Sequence, residues 1–176
     1  MKTERIEEFK LSRQLRSTIA NLLRDCFRGY PEGYSCYHQL PNFRYLVWSK
    51  DKLIGHMAVI HRLINNAGRR VSIFGISDLC VATDYQHRKI ASSLLERLNA
   101  LGEQWNIDFL LLLAKDHELY EAHGFELVEL DGRWLIISNS RSLGLARRRL
   151  PGTLMVKPLG DKKWQDGEID FLGHLF

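Results

Sequence analysis

The sequence predicts an α+β fold, a mixed central β-sheet flanked by helices, formed by one domain over residues 1–176. Three observations carry this expectation. Helical and strand periodicities alternate along the chain, and the strand runs between Phe43 and Ala82 are joined by short polar turns, as in an antiparallel meander. A later run, Phe109-Leu110-Leu111-Leu112-Leu113, is wholly apolar, which marks a strand covered on both faces. With 45% hydrophobic and 26% charged residues, the chain has the composition of a compact globular domain.

The elements follow in order. Ser12 is a candidate N-cap, and Leu15, Ile19, Leu22, Leu23 and Phe27 recur at helical spacing until Gly29, Pro31 and Gly33 end the pattern. Residues 30–42, rich in Tyr, Gly and Pro, read as a long loop, and loops of that length tend to line binding sites. Strands are expected over 44–49, 53–63 and 69–82, with turns at Lys50-Asp51 and Asn65-Asn66-Ala67-Gly68. A helix over 88–105 places Ile90, Leu94, Leu95, Leu98 and Leu101 on one face. The apolar strand over 108–114 comes next, then a short helix capped by Asp116 and ended by Gly124, and a strand over 125–130. Residues 134–138 and 152–157 are further apolar segments, before a tail that mixes acids with bulky apolar residues.

The charge of +4 and pI near 9.0 suit an anionic partner. Nucleic acid is not the expected one: the basic runs Arg69-Arg70 and Arg147-Arg148-Arg149 lack interleaved aromatics and read as solvated turns. No stretch approaches the roughly 20 apolar residues that span a bilayer, and the first ten residues are charged, so a cytoplasmic location without membrane contact is expected. Cys26, Cys36 and Cys80 show no metal-binding or disulfide spacing.

The chemistry is concentrated where Ser77-Asp78-Leu79-Cys80-Val81 leads through Gln86-His87-Arg88-Lys89-Ile90-Ala91-Ser92 into a long helix. First-turn amides of a helix have no partner within it, and with the helix dipole they attract an anion such as a diphosphate. This stretch resembles the signature of the GNAT superfamily of acyl-CoA-dependent N-acyltransferases, Arg/Gln-x-x-Gly-x-Gly/Ala after a strand of the form Leu-x-Val. Lys89 stands where the pattern has its first glycine, so the turn is expected to be altered or the lysine to join the phosphate contacts. The second signature, Tyr-x-x-x-Gly-Phe, is complete as Tyr120-Glu121-Ala122-His123-Gly124-Phe125.

The resemblance implies acetyl-CoA as acyl donor, a small-molecule primary amine as acceptor, and direct transfer between them. It implies that Gln86, His87, Arg88, Lys89, Ile90, Ala91 and Ser92 bind the pyrophosphate. The strand Leu79, Cys80 and Val81 would receive the pantetheine arm, and Tyr120 would protonate the leaving thiolate. An acid just before Leu-x-Val takes the amine's proton in such enzymes, directly or through water. The periodicity leaves open whether Asp78 or Ser77 faces the cleft; a carboxylate is the better acceptor, so Asp78 is chosen. His56 and His61 titrate in the right range and read first as satisfied strand histidines. Over about residues 53–125, and again at Trp164-Gln165-Asp166-Gly167-Glu168, the chain looks most like the aminoglycoside 2'-N-acetyltransferases and the nodulation acyltransferases. That likeness implies that Glu168 and Asp170 meet a cationic acceptor. A peptide or protein amine and a non-catalytic CoA-binding module are the alternatives. Homodimers are common in the superfamily.

Overall fold

The computed structural model describes residues 1–36, 38–138 and 140–176. The strands are β1 (Lys2–Glu7), β2 (Phe43–Ser49), β3 (Lys52–Asn66), β4 (Arg69–Val81), β5 (Phe109–Leu113), β6 (Glu126–Leu127), β7 (Asp131–Ser138), β8 (Arg141–Arg149), β9 (Leu154–Pro158) and β10 (Ile169–Asp170). The helices are α1 (Arg13–Cys26), α2 (Ile90–Gln104) and α3 (Glu118–Glu121), with 3-10 turns at Glu8–Lys10 and Thr83–Tyr85. Parallel pairs (β4 with β5, β7 with β10) stand among antiparallel ones, so the expected α+β class with a mixed sheet is what forms. No helix among the described residues is long and apolar enough to cross a membrane. The chain divides into two compact units, Met1–Val59 with Ser77–Leu95, and Ile60–Ile76 with Glu96–Phe176.

In the first unit, the Ser12 side chain accepts from the Leu15 amide at 3.1 Å, the cap expected from the sequence. Helix α1 then buries Ile19, Leu22 and Leu23 against Leu46, Leu53 and Cys80, contacts worth about 1.5–3 kcal/mol for each large side chain. β1, β2 and the first part of β3 are antiparallel neighbours in the register Glu4↔Leu46↔His56. The sequence reading missed β1, because Lys-Thr-Glu-Arg-Ile-Glu carries too many charges to read as a strand. Gly55 makes room for the start of α2: a Cβ there would stand 3.1 Å from Ile90 Cγ2 and 3.2 Å from Val47 Cβ.

In the second unit the strand order is β6-β9-β5-β4-β3-β10-β7-β8. β5 lies between β4 and β9, and Phe109, Leu110 and Leu111 are fully buried there, as the apolar run required. Their core partners include Ile64, Ile73, Leu154, Val156, Ile169 and Phe171.

Several boundaries differ from expectation. α2 begins at Ile90, because His87 and Lys89 have left-handed backbone that cannot continue a helix. α3 is a single turn preceded by His117, with no side-chain cap, so Asp116 does not cap it. Gly124 does take the left-handed φ of +78° that ends the turn. The strand over 125–130 contracts to Glu126–Leu127. Arg147, Arg148 and Arg149 belong to β8 instead of a turn, their alternation masked by charges on its exposed positions.

Candidate functional site

The segment leaving β4 passes through two left-handed residues into α2. His87 and Lys89 both have φ of +59° on either side of Arg88, after an extended Gln86, and left-handed residues in such a turn can aim backbone amides at one anion. Among the described residues, the first paired amide of α2 is that of Ser93, which donates to the Lys89 carbonyl at 2.9 Å; the amides from Lys89 to Ser92 precede it, as helix geometry demands. Gln86, His87, Arg88 and Lys89 are exposed, Ala91 and Ser92 half-buried, and Ile90 is a buried anchor. Cations gather around Tyr85, with Arg88 over its ring at 5.1 Å and Lys52 at 5.6 Å. Sequence reasoning missed Lys52 and Tyr85, because no motif links them to the loop.

Lys89 therefore adopts the backbone a glycine would take, and the turn is kept with a lysine in it. A side chain in this region costs about 1–2 kcal/mol, partly offset by the entropy glycine loses on folding. Lys89→Gly is expected to raise Tm by about 2 °C, a net gain of about 0.5–1 kcal/mol. Calorimetry reads this directly; a fall in Tm would show that the lysine side chain outweighs its backbone.

Upstream, Leu79 and Val81 are half-buried and Cys80 is buried, its thiol hydrogen-bonded to Cys26. The Val81 carbonyl accepts from the Gln86 side chain at 3.2 Å in an exposed bond, so a ligand pairing with this strand exchanges that contact for its own. Asp78 has φ of +50° within β4, and its Oδ2 accepts from the Tyr30 hydroxyl at 3.1 Å. Burial raises the Asp78 carboxyl above the usual carboxylate range, while the Tyr30 bond and the Arg44 charge oppose the shift. The Tyr30 phenol moves up as well, through burial and the Asp78 charge, so it stays a donor. The 30–42 loop thus reaches the candidate base through its first residue; Tyr37 of that loop lies outside the described residues.

His56 is fully buried with both ring nitrogens engaged, and burial followed by the Arg44 charge depresses its pKa to about 3. It is a neutral, satisfied strand histidine. His61 lies in the other unit, 3.2 Å from Ser72 Oγ and edge-on to Phe74.

In the second unit, Tyr120 sits on α3 with its ring edge-on to Phe125 at 5.9 Å. Burial, and then the Asp116 charge, raise its phenol above the ordinary value, so it holds its proton at neutral pH. Glu168 pairs with Arg147 at 2.5 Å. Asp170 pairs with Arg133 at 3.7 Å and accepts from the Leu172 amide at 2.9 Å. Both acids have intramolecular cations as partners.

A family model for the acetyltransferase (GNAT) domain matches residues 11–128. In structure the chain is similar to a GNAT family N-acetyltransferase from Escherichia coli (YhbS) in complex with CoA, with a TM-score of 0.66 at 18% identity, over 96% of this chain and 88% of that one. It is similar to a GNAT family acetyltransferase from Brucella melitensis in complex with acetyl-CoA, with a TM-score of 0.62 at 13% identity, over 96% and 94%. A third similar structure is the ribosomal-protein-S18-alanine N-acetyltransferase of Escherichia coli, with a TM-score of 0.56 at 11% identity, over 93% and 100%. No curated protein matches the sequence.

Proposed function

The chain belongs to the GNAT acetyltransferase domain family, and from that membership we propose that all 176 residues act as one enzyme domain that moves an acetyl group from acetyl-CoA to the primary amine of a small molecule. The carrying observation is the strand-to-helix passage: left-handed His87 and Lys89 put the amides from Lys89 to Ser92 at the mouth of α2, next to Arg88 and Lys52. That donor set fits a pyrophosphate, which accepts many hydrogen bonds and carries charge that a helix N-terminus stabilises.

Bound acetyl-CoA supplies the thioester carbon that the amine attacks. The backbone of Leu79 and Val81 holds the amides of the pantetheine arm as an added strand. Asp78, its affinity for protons raised by burial, takes the proton of the attacking amine. Tyr120 keeps its own proton until the tetrahedral intermediate collapses, then gives it to the departing sulfur. The acceptor is an aminoglycoside-like amine, whose ammonium groups replace Arg147 beside Glu168 and Arg133 beside Asp170. Exchanging one exposed cation for another costs little, because surface ion pairs contribute about 0–1 kcal/mol each.

Acetyl-CoA at about 100 times Kd is expected to stabilise the protein by about 2.7 kcal/mol, seen as a rise in Tm. Thiol release should then appear with aminoglycosides and small diamines and be absent with peptides. A Tm shift without thiol release from any amine points to a CoA-binding module. Turnover with peptides alone moves the acceptor to a protein terminus or lysine. Without a Tm shift the donor assignment falls.

A further inference from the structure

Three buried polar side chains of the first unit, Glu8, Arg44 and His56, take no part in acyl transfer as described above. They are 5%, 0% and 0% exposed. Arg44 Nε donates to Glu8 Oε2 at 2.6 Å, and its Nη1 donates to the Ser35 carbonyl at 2.7 Å and to His56 Nε2 at 2.9 Å. Arg16 holds the other Glu8 oxygen. Because arginine has only donors, His56 Nε2 must accept, which leaves the ring proton on Nδ1. That proton goes to the main-chain carbonyl of Asp78 at 2.8 Å.

Asp78 is the left-handed residue of β4. A non-glycine residue in this region persists only when its surroundings hold it there. Its carbonyl is a part-buried oxygen that needs a donor. His56 is that donor, and its tautomer is set in turn by Arg44. The same guanidinium binds Ser35, so one side chain joins the 30–42 loop, the Glu8 turn and the backbone of the candidate base. A cluster with no other duty than filling space would be cheaper as apolar residues, because buried ion pairs seldom stabilise more than hydrophobic replacements of equal volume.

We propose that Glu8, Arg44 and His56 form one brace that holds Asp78 in its left-handed conformation, so that His56 is a positioning residue for proton removal from the acceptor amine. This rests on Asp78 being the base. The groups that face His56 are Arg44 and Asp78, with Glu8 behind Arg44 and Tyr30 beyond the Asp78 carboxyl.

The test compares His56→Leu, which keeps volume without a donor, with His56→Asn, which keeps an N–H at the Nδ1 position. His56→Leu should lower kcat by about 10–100-fold, the scale set by ångström-sized misplacement of a reacting group. It should leave KM for acetyl-CoA unchanged and move the acidic limb of the pH profile toward the ordinary carboxylate range. His56→Asn should recover most of kcat and the original limb. Equal losses in both variants, or a fall in Tm with kcat and the pH profile intact, overturn the brace. Should His56→Leu fail to fold, Arg44→Lys carries the test: it keeps a charge for Glu8 but cannot reach all three acceptors, so an unmoved acidic limb overturns the proposal. Asp78→Asn separates the two readings. If it removes the acidic limb while the His56 variants behave alike, the base stands and the brace falls; if it retains full turnover, the base assignment falls and the brace with it.

Discussion

Tyr120→Phe is expected to lower kcat by about 10²–10⁴-fold, the range general acid catalysis contributes, with the affinity for CoA unchanged. The substitution removes one oxygen and keeps the ring, so the edge-on contact with Phe125 and the turn that ends at Gly124 both survive. The loss therefore falls on the step that needs a proton. The direction of the phenol's shift adds an independent expectation. Burial and the Asp116 charge push it above its ordinary value, so its deprotonation cannot produce a falling limb in the neutral range, and activity should hold through pH 9. Thiol-release kinetics from pH 6 to 10, with calorimetric titration of CoA into the variant, measure both. Full turnover in Tyr120→Phe would remove this residue as the acid, while the rest of the donor site would stand on its own titration.

What the sequence showed and what it hid divide along a physical line. Features set by neighbours in the chain were legible: the Ser12 cap, the apolar face of α1, the doubly covered β5 and the left-handed Gly124 all follow from spacing and residue type. The turn from β4 into α2 was legible as well, apart from its one irregular position. Lys89 looks like a departure from the pattern in letters, yet its φ of +59° keeps the pattern in backbone; a one-letter sequence cannot show that a lysine accepts glycine's conformation. Features set by distant partners stayed hidden. Arg44 is the second residue of an apolar strand, where period-2 alternation sends a charged residue outward, but β2 is covered on both faces and the guanidinium points inward to Glu8 and His56. The partners are separated by 36 and 12 positions in the chain, and no local pattern joins them. β8 was hidden for the opposite reason, its exposed arginines and leucines giving no buried face to read.

That buried arginine carries a large expected stability effect. Arg44→Met should lower the unfolding free energy by about 3–5 kcal/mol, because it leaves a carboxylate in the interior short of its cation. Arg16 stays on Glu8 and places the loss toward the lower end. Arg44 Nη2 has no partner among the described residues, which subtracts further from what the native arginine contributes. The pH dependence distinguishes this from simple loss of packing. His56 has a folded pKa of about 3 against an ordinary 6.5, so between those values the unfolded chain binds the extra proton and stability falls as the pH is lowered from 6.5 toward 3. The slope there amounts to about 1.36 kcal/mol per pH unit at most for one group. Asp78, with its raised carboxyl, works in the opposite sense just above its ordinary value of 3.8, because there the native state holds the proton. His38, whose imidazole burial also lowers, acts in the same sense as His56, so the acid loss of the wild type should set in as the pH falls through about 6.5 and reach nearly its full slope about one unit lower, where the unfolded histidines are mostly protonated. Removing Arg44 takes away the second cause of the His56 shift while burial, the first, remains. Urea denaturation at about pH 7 and about pH 4, close enough to the folded His56 pKa to register a change in it, should thus give Arg44→Met a lower stability at both and a smaller difference between them. An equal or larger difference in the variant would mean that the guanidinium does not face the imidazole in solution, and that Glu8 alone accounts for the cost of losing it.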